Sequence, residues 1–276
     1  MSLAPDPVVL DLSASGVAIV TLSRPAKKNA MDELMIAQLG EAFATLATQD
    51  RLRVVFLRGA GDAFCAGADV EWMRRQGAHS QLENEADALA LARMLKALHG
   101  LPQLTVALVQ GAAFGGGAGL VAACDYAIAT SDARFRFSEV RLGLTPATIS
   151  PYVVEAIGAR NARALFASAL PFDAQAAQRY GLVHEIVADA DGLVANLERL
   201  SNLALENAPG AVAQAKALVQ FLQDDAVRTR LGIAGHLVDD HVLHETARQI
   251  AARRASQEGQ EGLAAFLERR DPDWRA

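Results

Sequence analysis

The feature that most constrains this chain is a long run without charge. From Ala97 to Cys124 there is no Asp, Glu, Lys or Arg, which is long enough to cross a bilayer as a helix. Gly111/Gly115 and Gly115/Gly119 repeat the small-xxx-small spacing of packed membrane helices. One continuous helix is nevertheless a poor reading. Pro102, Gln103 and Gln110 interrupt the run, and five glycines fall between 111 and 119, each costing a helix interior about 1 kcal/mol. The run divides better into a buried strand over Leu104 to Val109, a glycine turn over 111 to 119, and a short buried helix from Leu120 to Ala123. Asp125 closes it.

Glycines at the end of a buried strand let backbone approach a ligand with no Cβ in the way. A helix starting there turns its free N–H groups outward and favours negative charge. Such a place suits an anion, either a resting one or one that develops during a reaction. A second loop of small residues, Ala63-Phe64-Cys65-Ala66-Gly67-Ala68-Asp69-Val70, follows another buried strand, Arg53 to Arg58. In a parallel sheet both loops lie at the carboxyl edge, where ligands bind. Two amides converging from them form an oxyanion hole. The bland alternative is that glycine and alanine only permit close packing. Two loops with the same placement and a carboxylate, Glu139, downstream favour the chemical reading.

Outside these loops the pattern is strand–helix alternation, which implies an α/β fold with a mostly parallel sheet. Val8 to Leu12 and Val17 to Leu22 form a hairpin around a Ser-Ala-Ser-Gly turn. Asp32 caps a helix running to about Ala47. Helices follow over 71–76 and 83–98, and short strands over 126–129 and 134–137. Beyond Glu139 the chain turns helical, over about 148–157, 160–169 and 174–180. One strand, Leu182 to Val187, interrupts, and residues 193 to 270 read as helical throughout. The division expected is a core over 1–200 and a helical region over 201–276.

The chain has 276 residues, 51% hydrophobic and 21% charged, with a formal net charge of −6 and a pI near 5.5. That balance argues against broad nucleic-acid binding. Two cysteines, Cys65 and Cys124, make no disulfide framework and fit a reducing compartment. The first residues carry no basic-then-apolar signal pattern, so the expectation is a cytoplasmic protein that is not in a membrane.

Three rival chemistries are weaker. Gly115-x-Gly117 matches part of a dinucleotide fingerprint with Glu139 about 20 residues on, but the full G-x-G-x-x-G is missing. His241 and His244 beside Asp239 and Asp240 resemble half a metal site, yet no further ligands support it, and no metal is expected. No Gly-x-Ser-x-Gly elbow is present. Glu139, between Phe135-Arg136-Phe137-Ser138 and Val140, is either an acid/base raised in pKa by apolar neighbours or an exposed partner of Arg136 or Arg141.

Several of these segments together resemble the crotonase (enoyl-CoA hydratase/isomerase) superfamily. They are Ser23-Arg24-Pro25 with Asn29-Ala30, Phe64 to Asp69, Gly111 to Asp125, and Ser138-Glu139-Val140-Arg141-Leu142-Gly143 with Pro146. Gly181-Leu182-Val183 and Glu261 to Arg270 continue the match. The resemblance implies a spiral ββα core, a C-terminal helical trimerisation region, and a homo-oligomer, either a trimer or a dimer of trimers. It implies an acyl-CoA substrate, with coenzyme A entering as part of that substrate and no separate cofactor. By position, Ala68 and Gly116 match the two amides that hold the thioester oxygen, each contributing about 3 kcal/mol to a developing oxyanion. Ala66, Asp69 and Val70 fall in the adenine-binding stretch, Lys27 borders the CoA, Arg269 matches a basic position near a neighbouring subunit's CoA, and Glu139 matches a catalytic glutamate.

One position departs from that pattern. Where two-glutamate hydratases carry a second Glu, this chain has Gly119. Single-glutamate members include Δ3,Δ2-enoyl-CoA isomerases. The runs around Glu139 and Pro146-Ala147-Thr148-Ile149-Ser150-Pro151 look closest to bacterial methylglutaconyl-CoA hydratases of leucine and isoprenoid degradation. The expectation is therefore a hydratase, with an isomerase and a non-catalytic CoA-binding protein as alternatives. The helix around 72–90 is expected to shape the acyl pocket; Arg74 and Arg141 are either partners for a second substrate carboxylate or, the commoner case for basic residues there, surface charge.

Overall fold

The computed structural model of the chain describes residues 6–223 and 240–275. Their contacts divide them into two compact units, separated between Ser201 and Asn202.

The first unit is built on a sheet of six strands in the order β1-β2-β3-β4-β6-β9. β1 (Val8–Leu12) and β2 (Val17–Leu22) are the expected antiparallel hairpin. β3 (Val54–Gly59), β4 (Leu104–Val109), β6 (Tyr126–Thr130) and β9 (Glu185–Val187) all add in parallel. The central strands are buried on both faces, which explains the near-continuous apolar runs of β3 and β4.

A second, three-stranded sheet was not legible in the sequence. β5 (Ala112–Phe114) pairs in parallel with β7 (Arg134–Arg136), which pairs with β8 (Phe172–Asp173). β5 hides inside what reads as a glycine turn, because three residues of Ala-Ala-Phe carry no periodicity. The chain therefore spirals. β4, β5 and α4 (Gly116–Ala123) make one turn, and β6 and β7 followed by α5 (Ser150–Ser168) make the next. The preceding turns carry a single bridge in place of the second strand, Cys65 with Ala113 and Met31 with Ala68. This is a mixed α/β fold of ββα repeats, as expected.

The helices cover this frame. α1 (Glu33–Ala47) is capped by Asp32, which accepts a hydrogen bond from the Met35 amide, and buries Met35, Ile36, Leu39, Phe43 and Leu46. Each such side chain contributes roughly 1.5–3 kcal/mol. α2 (Val70–Gln76) and α3 (Gln81–His99) follow β3. The two helices expected over about 148–157 and 160–169 are both present within α5, parted at Gly158, whose φ of 75° and ψ of 153° are not helical. α6 (Ala174–Tyr180) and α7 (Ala190–Glu206) follow.

In the second unit, α8 (Pro209–Gln223), α9 (Asp240–Ala255) and α10 (Gln257–Glu268) are described. Ser256 caps α10 through the Gly259 amide. The helical reading of residues 224–239, and the Asp239 and His241 side chains of the weighed metal site, lie outside the described residues. Among the described residues, no helix is long and apolar enough to cross a membrane.

Candidate active site

The two small-residue loops meet, as their placement after β3 and β4 predicts. They are zipped together by backbone: Cys65 N–H donates to the Ala112 carbonyl and Phe114 N–H to the Cys65 carbonyl, both at 2.9 Å. This closeness explains part of the glycine content. A Cβ at Gly117 would sit 2.3 Å from the Cys65 carbonyl oxygen, and one at Gly67 would sit 2.9 Å from that of Phe114. At these two glycines the bland reading is correct: they exist for packing.

Gly115 and Gly116 have a different role. Gly115 takes φ 47°, ψ −118° as it turns the chain from β5 into α4, a conformation open mainly to glycine. Its Cα faces the Glu139 carboxyl, so a Cβ there would lie 3.0 Å from Oε1. No side chain caps α4. The helix itself starts at Gly116, inside the glycine cluster rather than after it. Tertiary packing overrides the low helix propensity of Gly-Gly-Ala-Gly here, since this short helix is buried along almost its whole length.

Among the described residues, neither the Ala68 nor the Gly116 amide donates a backbone hydrogen bond. For Ala68 the reason is pleat geometry. In its bridge to Met31, the Gly67 carbonyl accepts from Met31 N–H and Asp69 N–H donates to the Met31 carbonyl. The Ala68 N–H between them points the other way.

Ala68, Gly116 and Glu139 line one cavity of about 300 Å³. Its apolar wall includes Trp72, Met73, Leu91, Leu144, Pro146 and Ile149. The segment 72–90 does shape it, through α2 and α3. Arg74 and Arg141 are exposed and are not part of the lining.

Glu139 opens a single 3-10 turn, Glu139–Leu142, two residues after the buried Phe137. Burial pushes its carboxyl above the ordinary carboxylate range, although the N–H groups of Glu139 and Ser138 favour the charged form. Oε2 is buried and, within the described residues, has no hydrogen-bond partner. A buried, unpaired carboxyl oxygen is costly unless something completes it. Among the described residues Glu139 does not pair with Arg136, whose guanidinium donates to the Ala169 carbonyl at 2.7 Å.

The other expected residues divide. Asp69 is buried and acts within the protein. Its Oδ1 caps α2 by accepting from the Glu71 and Trp72 amides at 2.9 and 3.4 Å. Its Oδ2 pairs with Arg24 at 3.1 Å. Desolvation pushes its pKa up, but these hydrogen bonds win and hold it below the usual range. Ala66 is half-buried and fixed by its amide to the Lys28 carbonyl, and Val70 is exposed at the start of α2. Lys27 is exposed and paired with Glu71 at 2.7 Å. Gly119 is buried in α4 against Ile149 and is not part of the cavity lining. Arg269, at φ 57°, ends α10 in the second unit.

Three residues of the cavity were missed. Met31 bridges to Ala68 and sets its Cε against Gly116. Trp72 has a buried indole N–H without a partner among the described residues. Ile149 stands in the sequence only as one member of the Pro146 to Pro151 run. Their signal is spatial, so periodicity could not find them. Asn29 was noticed only within a motif. It is fully buried, and its amide donates to the Ala60 and Ala63 carbonyls, both at 2.8 Å, which ties the 24–31 loop to the 60–69 loop. No group of three or more His, Cys, Asp or Glu able to hold a metal occurs among the described residues.

Two free amides and a carboxyl in one cavity can hold a developing oxyanion and move a proton, and comparison with known proteins gives the family. The chain belongs to the enoyl-CoA hydratase/isomerase family, whose model matches residues 13–276. It is 40% identical to a solved enoyl-CoA hydratase from Shewanella pealeana, with a TM-score of 0.89 over 97% of this chain and 96% of that one. It is 32% identical to the enoyl-CoA hydratase AKT6-1 of Alternaria alternata, over 92% of this chain and 80% of that protein. It is 30% identical to the mevalonyl-coenzyme A hydratase sidH of Aspergillus fumigatus, over 94% of this chain and 91% of that protein.

Proposed function

We propose that the protein is an enoyl-CoA hydratase that adds water across the 2,3 double bond of an acyl-CoA thioester. The observation that carries this reading is the half-buried Glu139 carboxyl, its Oε2 buried and unpaired among the described residues, in one cavity with two unspent amides. The thioester oxygen binds between the Ala68 and Gly116 N–H groups. This draws electrons from C3. Glu139 takes a proton from water as the water oxygen bonds to C3, and the π pair moves to form the enolate. The oxyanion sits in the hole, and Glu139 returns the proton to C2. The net change is H at C2 and OH at C3, with no oxidation. Lys27, Ala66, Asp69 and Val70, with Arg269 of a neighbouring subunit, form the proposed CoA contacts, Asp69 by fixing the loop. The second unit is the proposed trimerisation region of a trimer or dimer of trimers.

The apolar wall fits a short, branched enoyl group. A methylglutaconyl-type group remains part of the proposal. Its second carboxylate needs a cation from outside the described lining, which includes no Lys, Arg or His.

Gly119 favours a second reading, a Δ3,Δ2-enoyl-CoA isomerase, because one carboxylate suffices to move a proton from C2 to C4. The test follows enoyl-thioester absorbance with crotonyl-CoA, trans-3-hexenoyl-CoA and methylglutaconyl-CoA, comparing wild type with Glu139→Gln. Loss of conjugation that disappears in the variant supports the hydratase. Gain of conjugation from the 3-enoyl thioester alone supports the isomerase. Tight CoA-thioester binding with no turnover, indifferent to Glu139→Gln, overturns both in favour of a binding protein.

A further inference from the structure

We infer that Ile149 and Gly119 form a size-matched pair that closes this cavity to a second acid, which makes Ile149 the residue that fixes a one-carboxylate site. The inference rests on the hydratase/isomerase reading only for its catalytic half. Gly119 lies one helical turn beyond Gly116 on the buried helix α4. Ile149 is 2% exposed, stands at the N-cap of α5, and lines the cavity together with Gly116 and Glu139. A Cβ built at 119 would lie 2.3 Å from Ile149 Cγ2, 2.8 Å from its Cβ and 3.9 Å from its Cα.

Two of these distances are shorter than any real contact, and the obstructing atoms are not the free end of a flexible chain. They sit on the branched carbon of a residue that is stiff at χ1, in an interior that resists overpacking. Any side chain at 119 therefore requires Ile149 to be cut back. Conversely, a cut at 149 opens a notch that starts at Gly119 and borders the wall shared with Glu139. The departure at 119 is thus not a lone missing carboxylate. The space that a second acid's stem would need is already filled with hydrocarbon, and Glu139 must both take and return the proton.

The test is sign reversal in a double-mutant cycle. Gly119→Ala alone lowers Tm by several degrees. Ile149→Gly, a residue well tolerated at an N-cap, also lowers it. In the Ile149→Gly background, Gly119→Ala leaves Tm unchanged or raises it. Where Ile149→Gly does not fold, Ile149→Ala serves as the background; it removes the 2.3 Å contact and keeps the 2.8 Å one, so Gly119→Ala then costs less Tm than in the wild type. Equal loss of Tm in both backgrounds overturns the pairing, and this readout needs no activity. The catalytic half is read in the pH profile of kcat/KM for crotonyl-CoA. Gly119→Glu with Ile149→Gly gains a second ionisation absent from Gly119→Gln with Ile149→Gly. An unchanged profile, with Tm reversed, shows that the notch does not border the reacting atoms and overturns that half.

Discussion

Two helices of this protein start in the same way and end up with opposite uses. α2 and α4 each follow a central parallel strand and a loop of small residues, and both loops are joined by backbone hydrogen bonds. At α2 the exposed amides are already occupied, because Asp69 places its own carboxylate on the Glu71 and Trp72 N–H groups and is itself held by Arg24. At α4 no side chain caps the helix, and the nearest carboxyl, Glu139, stands off with one oxygen unpaired. A helix start that carries its own anion is structure. One that leaves its donors unspent, beside an acid it does not bind, can take up an anion.

The two carboxyls also differ in pKa, in opposite directions and for different reasons. Hydrogen bonds hold Asp69 low despite its burial, and burial holds Glu139 high. The signs of pH dependence follow. A lowered group gives stability that is present above the ordinary carboxylate range and lost as pH falls through its depressed value. A raised group gives stability that is present below that range and lost as pH rises through its elevated value.

The strongest break of the comparison is Glu139→Gln. Hydration falls by roughly 100-fold or more, as expected when an acid/base is removed. Meanwhile Tm at neutral pH rises, because a buried charge has gone. Calorimetry across pH checks this: the Tm gap closes as pH falls through the ordinary carboxylate range. In the wild type, kcat/KM for hydration declines with acid at a midpoint above that range, since Glu139 must be ionised to take a proton from water.

Next in size is Gly115→Ala. It forces an L-residue into φ 47°, ψ −118° and presses a methyl to 3.0 Å from Glu139 Oε1. Stability drops by about 1–3 kcal/mol, measured by urea denaturation, and kcat falls with it. Asp69→Ala empties the filled helix end and costs about 0.5–2 kcal/mol. Asp69→Asn keeps the cap and recovers most of this. If Asp69→Asn is as unstable as Asp69→Ala, the ion pair with Arg24 matters more than the cap. The smallest effect is at Lys27, whose pair with Glu71 is exposed and screened by water. Lys27→Ala leaves Tm unchanged and raises KM for CoA thioesters, and wild-type KM rises with salt.

The sequence made the frame legible where one period dominates. The hairpin, β4, and α1 with its Asp32 cap all follow from apolar spacing and a capping residue. The site was legible as two loops and one carboxylate, because glycine and alanine after a buried strand point to close backbone approach whatever the contacts are. What stayed hidden depended on partners distant in sequence. β5 is three residues long and exists through β7. α4 runs through glycines because the space around it admits little else. The bond from Arg24 to Asp69, 45 positions apart, leaves no local trace. Gly119 looked like a simple loss until Ile149 was beside it.

The bridge between Met31 and Ala68 has a consequence for how this chain can change over evolutionary time. The Ala68 donor belongs to no side chain, so no substitution at 68 short of proline deletes it. It is encoded as phase: Gly67 and Asp69 face Met31, and the residue between them faces the cavity. Adding or removing one residue between Cys65 and Asp69 turns a carbonyl to where the amide now points. The side chain at 68 can therefore change while the donor stays, provided the residue count between Cys65 and Asp69 is kept.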